Sequence, residues 1–507
     1  MENQQHNSKR IAKNTAILYT RMLLLLIVGL YTSRVVLKVL GVEDYGIYNV
    51  VGGFVMMFSL LSSSLNSSIS RFLTFQLGRC NSDALHEVFF TSISIQVILS
   101  FLILFLAETL GLWFLATKMV IPIERYQAAF WVFQFSIFSF CMGLLSIPYT
   151  ASIIAHEKMS MFAYFGIIEV FAKLGIVLLV GVSSFDHLIF YSFLIALLGV
   201  CMQVSYVLYC HKHFEECQLR YAFNKRLFFK MFSFAGWTFL GNASYILMTQ
   251  GINILTNIFF GVLVNAARSV AATVDNVFSQ FVNSFTMAIN PAITKSYASG
   301  EINTFHSLIL SGSKYCFFLL YALVVPLLLE TRIILDFWLK DVPLHSVTFV
   351  RLTLLNLLII VTSNPLITGI LAKGQVRSYQ ISLGSFSLLA LPLTYMVFKI
   401  SPKPELAYLV TLSIYLLQFI VRGFYVEKLL HLSLSVSLKK ILTPIFLTVS
   451  ISFPLSYLVH LFINKSIGGV FLVTFLTEII ILSTIYLVGL TKSEKKIIKE
   501  QIKNRFH

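Results

Sequence analysis

Met22-Leu23-Leu24-Leu25-Leu26-Ile27-Val28-Gly29-Leu30 is an unbroken apolar run inside a longer stretch, residues 14–39, whose only charges are Arg21, Arg34 and Lys38. A helix rising 1.5 Å per residue crosses a hydrocarbon core of about 30 Å in about 20 residues, so the stretch reads as a membrane span. A transmembrane strand would alternate apolar and polar side chains instead. The pattern recurs along the chain: of 507 residues 57% are apolar and only 12% charged, with a mean hydropathy of +0.83. Soluble domains carry about 25% charged residues. The class left standing is an all-α polytopic membrane protein.

With a window of about 19 residues, candidate spans fall near 14–39, 47–68, 87–107, 126–147, 163–182 and 188–210. Six more follow near 231–260, 267–291, 306–330, 347–370, 379–399 and 406–421, and two last ones near 440–461 and 468–490. The expected architecture is thus about 14 transmembrane helices. A six-helix half occupies residues 1–210, a polar cytoplasmic linker 211–230 and a second six-helix half 231–430. Two extra helices over 431–490 and a basic cytoplasmic tail over 491–507 complete it. Leu40-Gly41-Val42 after the first span recurs as Phe260-Gly261-Val262 after the seventh, and Leu77-Gly78-Arg79 has a weaker counterpart in Ala298-Ser299-Gly300-Glu301. Pro148 and Pro365 end the fourth and tenth spans alike. Two halves repeated in one orientation imply a pseudo-two-fold axis along the membrane normal and a substrate site near the midplane, which is a transporter's plan.

The net charge of +16 would suit nucleic acid only on the basic face of a soluble domain, and no such domain is present. It follows topology instead. With the amino terminus inside, most Lys and Arg fall in expected cytoplasmic segments, so both termini are expected to be cytoplasmic. The six Cys form no C-x-x-C pair, and the run Cys210-His211-Lys212-His213-Phe214-Glu215-Glu216-Cys217 matches no standard zinc spacing. There is no P-loop and no D-x-D pair. The chain is therefore read as no enzyme, without metal or organic cofactor, drawing for uphill work on a proton or sodium gradient. The tail from Lys492 to Arg505 is basic and amphipathic, suited to anionic lipid headgroups.

Charged side chains at the centre of a span cost about 2.5 to 3.5 kcal/mol on insertion and mark function by default. Arg21 and Arg34 flank the middle of the first span and Lys38 follows Arg34 by one turn, so all three are candidates for an anionic substrate. Snorkelling to the interface is the competing account. In the eighth span Arg268, Asp275, Asn276, Ser279, Gln280, Asn283 and Asn290 recur at helical intervals. That stripe offers Arg268, Gln280 and Asn283 to the substrate and Asp275 as the ion-coupling carboxylate; hydrogen bonding between helices is the plainer role. Glu169 and Lys173, at i and i+4, are a second coupling pair or one that neutralises itself. Gly41, Glu43, Asp44 and Gly46 read as a hinge and gate, with an acid pairing a base of the other half. Stabilising the start of the second span through its dipole is the simpler task.

The residues that open the chain resemble a known family. Asn14-Thr15, Arg21, Tyr31-Thr32-Ser33-Arg34-Val35-Val36-Leu37 and above all Leu40-Gly41-Val42-Glu43-Asp44-Tyr45-Gly46-Ile47-Tyr48 are similar to the first two spans of the polysaccharide transporters. These are the O-antigen flippases of the multidrug/oligosaccharidyl-lipid/polysaccharide exporter superfamily. Asn290-Pro291, the polar loop between the halves and the span count agree by pattern. The resemblance implies a multi-pass protein of the bacterial inner membrane that moves an undecaprenyl-diphosphate-linked oligosaccharide to the periplasmic leaflet by alternating access. A polysaccharide polymerase and glycosyltransferases are the implied partners, beside membrane lipids and no nucleic acid. Diphosphate binding asks for cations and hydrogen-bond donors, which Arg21, Arg34, Lys38 and Arg268 supply. The alternatives are an ion-coupled small-molecule or multidrug exporter of the same superfamily, and a non-transporting scaffold of polysaccharide assembly.

Overall fold

The computed structural model describes residues 2–56, 58–117, 121–218, 222–339, 341–463, 466–492 and 494–496. The described residues are helical with no strand. They run as α1 (Glu2–Met56), α2 (Ser59–Gly78), α3 (Ser82–Leu106), α4 (Leu112–Thr117), α5 (Tyr126–Ala155), α6 (Met159–Gly181) and α7 (His187–His213). Then follow α8 (Lys225–Ala298), α9 (Ile302–Leu339), α10 (Ser346–Thr362), α11 (Asn364–Lys373), α12 (Arg377–Ile400), α13 (Leu406–Leu430), α14 (Leu434–Phe462) and α15 (Ile467–Thr484). Residues 12–239 form one compact unit and residues 240–507 belong to another.

Eleven helical stretches among the described residues are long and apolar enough to cross a membrane, so the chain is a multi-pass membrane protein, while the expected count of fourteen is not confirmed. The three other expected spans are helical but fall outside that set. Residues 47–68 are divided between α1 and α2 by a turn at Phe58. Residues 231–260 and 267–291 are the two arms of α8, diluted by Asn242, Gln250, Asn253, Asn257 and the stripe after Arg268. Elsewhere in the spans hydroxyls are hidden locally. Thr32 Oγ1 donates to the Val28 carbonyl at 2.7 Å, Ser92 Oγ to Val88 at 2.6 Å and Thr394 Oγ1 to Ala390 at 2.7 Å, each one turn back.

Three long helices break among the described residues: α9 at Glu330, and α1 and α8 at the repeated glycines. Gly41 interrupts α1 at φ 77, ψ 170, and Gly261 interrupts α8 at φ 76, ψ −173. This backbone region is essentially restricted to glycine, because a Cβ collides with the neighbouring carbonyl. In the first unit the residues on both sides of Gly41 pack into one core. Val36 and Leu40 before it and Ile47, Val51 and Val55 after it surround Val132, Phe133 and Ile137 of α5 and Leu188 and Tyr191 of α7. In the second unit Met248 and Ile252 of α8 pack with Ala390 and Phe398 of α12 and Ala407, Ile414 and Tyr415 of α13.

The stretch expected to be a polar linker has a buried centre. Cys210 lies in the last turn of α7, a short 3₁₀ turn covers Glu215–Cys217, and Cys210, Glu216 and Cys217 are all buried. His156 stacks on Phe214 at 4.2 Å and pairs with Glu216 at 2.7 Å. No cluster of His, Cys, Asp and Glu suited to a metal ion occurs among the described residues. Most of the expected basic tail lies outside the described residues.

Candidate functional site

Within residues 240–507, both arms of α8 converge with α10 and α13 on a cavity of about 160 Å³. Arg268 and Asp275 come from the second arm, Tyr245 and Thr249 from the first, Thr353 and Asn356 from α10, and Tyr408, Thr411 and Tyr415 from α13. Seven residues separate Arg268 from Asp275, about two helical turns, so both point the same way roughly 10 Å apart along the axis. Arg268 donates from Nη2 to the Thr249 carbonyl at 3.1 Å, across the Gly261 break, and lies 5.7 Å from the Tyr408 ring. The Tyr245 and Tyr415 side chains hydrogen-bond to one another. Asn356 donates to the Tyr408 carbonyl at 3.3 Å, whereas its buried Oδ1 has no partner among the described residues. The chamber therefore holds one cation, one carboxylate, three phenols and an acceptor in search of a donor.

The expected stripe of the eighth span divides. Gln280 and Asn283 are exposed and do not line this cavity. Twelve residues place Gln280 about 120° around the helix from Arg268, although the interval looks helical in sequence. Asn290 accepts from Thr368 Oγ1 at 2.7 Å, a bond between α8 and α11 of the kind that joins helices.

The cations of α1 have unlike surroundings. Arg34 and Lys38 are exposed, continue the exposed face of Leu23, Ile27 and Tyr31, and have no ion-pair partner among the described residues. Arg21 is drawn inward. Its guanidinium lies 4.5 Å over the Phe162 ring and against Gly166, where a Cβ would collide with it, and its Nε has no hydrogen-bond partner among the described residues. Glu169 and Tyr206 are near enough to act on it electrostatically. Lys173 donates to Glu169 Oε1 at 2.7 Å, so the expected pair forms, beside Arg21. Glu169 thus answers two cations rather than one.

At the Gly41 break, Asp44 is held by Arg125, which also binds Asp186 Oδ2 through Nη1 at 2.6 Å. Asp186 in turn caps α7, its Oδ1 accepting from the Leu188 and Ile189 amides at 3.1 and 3.0 Å. Partial burial would raise the Asp186 carboxyl, but the Ile189 N–H and the Arg125 guanidinium outweigh it and hold the group below the ordinary carboxylate range. The expected partner for this turn, a base of the other half, is replaced by Arg125 of the same unit, because the start of α5 lies beside the turn. Glu43 and Gly46 are exposed, and Gly46 is helical with open space around it, so Gly41 alone answers a backbone demand.

Sequence reasoning missed Tyr245, Asn356, Tyr408, Tyr415 and Arg125. Tyr408, Thr411 and Tyr415, at i, i+3 and i+7, carried a helical signal for a polar face on α13. The others come from elements that only the fold brings together.

A family model described as polysaccharide biosynthesis protein matches residues 11–297. No protein with a curated description matches the chain. Among solved structures, a MATE in complex with MaD3S has a TM-score of 0.71 at 11% identity, covering 83% of this chain and 96% of that one. The outward-facing conformation of a multidrug resistance MATE family transporter of the MOP superfamily gives 0.71 at 11% identity, covering 84% and 96%. A MOP superfamily transporter from Pyrococcus furiosus, described as having a binding pocket of reverse polarity that suggests a different function, gives 0.65 at 11% identity over 83% and 96%. The chain shares its fold with these transporters, and it belongs to the polysaccharide biosynthesis protein family.

Proposed function

We propose that the chain is an alternating-access carrier of a lipid-linked oligosaccharide, specifically one joined to undecaprenyl through a diphosphate, in a bacterial inner membrane. The observation that carries this reading is the pair Arg34 and Lys38, one turn apart on an exposed face of a span and without a counter-ion among the described residues. Uncompensated cations within a span suit an anionic passenger, and a diphosphate offers oxygens to both. Family membership fits a saccharide cargo, and the fold fits a carrier. In this reading Arg34 and Lys38 receive the diphosphate and Arg21 supports them from the Phe162–Gly166 face. Asp275 exchanges a proton or sodium ion and thereby sets the charge that Arg268 presents. Differential affinity between two access states is what such coupling requires.

A second reading rests on a specific observation. Asp275 among Tyr245, Tyr408 and Tyr415 is also a lining suited to a small organic cation, as a drug exporter would need. Deletion of the chromosomal copy separates the two. Lipid-linked repeat units accumulating on the cytoplasmic face support the saccharide carrier; drug sensitivity with intact surface glycan supports the exporter. Undisturbed translocation of the lipid-linked units, with no drug phenotype, leaves a scaffold.

A further inference from the structure

Lys314 is 3% exposed, and its sole ion-pair partner among the described residues is Glu494, which lies beyond the last span. Nζ donates to both carboxylate oxygens, at 2.9 and 2.7 Å, and Tyr315 also hydrogen-bonds that carboxylate. Burial would raise the Glu494 carboxyl, yet Lys314, the Thr491 amide and Tyr315 together hold it below its ordinary range. The structure therefore contains a formed site for an anion, filled by the chain itself.

The depth of this site follows from helix lengths. α9 breaks at Glu330, and its arm from Ile302 to Leu329 is by itself about 42 Å long at 1.5 Å per residue, more than a bilayer core of about 30 Å. The α15 span ends at Gly489, which packs on Phe318 of α9. Lys314 sits one turn from Phe318 toward the Ile302 end of α9, so it lies where the chain leaves the bilayer, at the level of lipid headgroups. The segment that covers it is otherwise basic, with Lys495 and Lys496. Lys495 ties it to the end of the span through the Leu487 carbonyl at 2.8 Å.

We propose that Lys314 and Tyr315 form a headgroup-level site for the phosphate of an anionic phospholipid, and that residues 494–496 are a cover whose Glu494 occupies it in the lipid's absence. Exchanging carboxylate for phosphate keeps the buried ammonium paired, so the exchange avoids leaving a lone charge in a dry site. An anionic surface draws the two lysines toward itself, by about 1 kcal/mol each, which favours release of the cover. The inference does not depend on which substrate the carrier moves.

The test is amide hydrogen exchange of residues 494–496 in the full chain, in vesicles of phosphatidylcholine alone and of phosphatidylcholine with phosphatidylglycerol. Protection should fall at least about tenfold in phosphatidylglycerol. Inorganic phosphate added to phosphatidylcholine vesicles distinguishes the sources: no effect assigns the site to lipid, and a similar fall widens it to free phosphate. Glu494→Gln should lose protection already in phosphatidylcholine and retain more phosphatidylglycerol by native mass spectrometry, whereas Lys314→Gln should retain less than wild type. Equal protection of the wild-type segment in all three conditions, or unchanged phosphatidylglycerol retention in Glu494→Gln, overturns the proposal.

Discussion

Gly41 and Gly261 break their helices with nearly the same backbone, yet the two breaks are held differently. After Gly41 the chain is tied outward by charge, Asp44 to Arg125 and Arg125 to Asp186, so that α1, α5 and α7 meet at one guanidinium. Across Gly261 it is tied to itself, Arg268 of the second arm reaching Thr249 of the first, and no ion pair joins residues 262–268 among the described residues. Val264 stands where Asp44 stands in the first repeat, and Leu263, 85% exposed, where Glu43 stands. A duplicated backbone device has thus been given a rigid ionic clamp in one copy and a single hydrogen bond beside a polar cavity in the other. The first break thus has three segments of one unit tied to it by charge, and the second has one hydrogen bond between its own two arms.

Of the substitutions that bear on the two breaks, replacing Arg268 should have the largest effect, because it strikes the second break and the cavity together. Arg268→Ala should reduce transport more than tenfold, and Arg268→Lys, which keeps charge but loses the fork, should recover part of it. Transport near wild type in both would remove Arg268 from the working parts and leave it a plain staple. Substituting either glycine should come next. Gly41→Ala and Gly261→Ala each place a Cβ in a glycine-only region at a cost of about 1–3 kcal/mol. Thermal unfolding in detergent should show both losses; an unchanged midpoint for either would mean that its break straightens without strain. If the clamp makes the first copy the stiffer one, Gly41→Ala is also the variant less able to relax.

Arg125→Ala should have a smaller effect, about 1 kcal/mol, since the clamp is partly exposed and screened. Its pH dependence has a definite sign. Asp186 is held below its unfolded value of about 4, so its contribution is complete above that pH and disappears as pH falls through the lower folded value. Wild type and Arg125→Ala should accordingly differ in stability at neutral pH and converge below about pH 4. A gap that stays constant down to pH 3 would deny the clamp any linkage. The smallest expected change is for Gln280→Ala and Asn283→Ala, both exposed and away from the cavity. Transport within about twofold of wild type is expected of each, as for surface substitutions within ±0.5 kcal/mol, and a large loss would return them to the site.

What the sequence discloses and what it hides divide along physical lines. The two breaks were legible because Leu-Gly-Val and Phe-Gly-Val repeat and glycine alone suits that backbone. Glu169 with Lys173, and Arg268 with Asp275, were legible because helix geometry fixes their spacing. Asp44 with Arg125 and Lys314 with Glu494 were not, being 81 and 180 residues apart with no periodicity to join them. Gln280 and Asn283 share helical intervals with Arg268 in the sequence but not its cavity, because a loose stripe of amides tolerates angles that a single cavity does not. The polarity that marked α8 as functional is also what keeps its arms out of the set of helices apolar enough to be counted as spans.

The central claim is that Arg34 and Lys38 receive the diphosphate of a lipid-linked oligosaccharide. The most direct measurement is the flipping of a fluorescent undecaprenyl-diphosphate-linked saccharide in proteoliposomes, comparing wild type, Arg34→Ala, Arg34→Lys and Lys38→Ala at matched protein content. The account predicts flipping by wild type, none above background by Arg34→Ala, partial activity for Arg34→Lys and a marked loss for Lys38→Ala. Flipping by Arg34→Ala and Lys38→Ala at the wild-type rate would contradict it and leave both side chains as interfacial anchors.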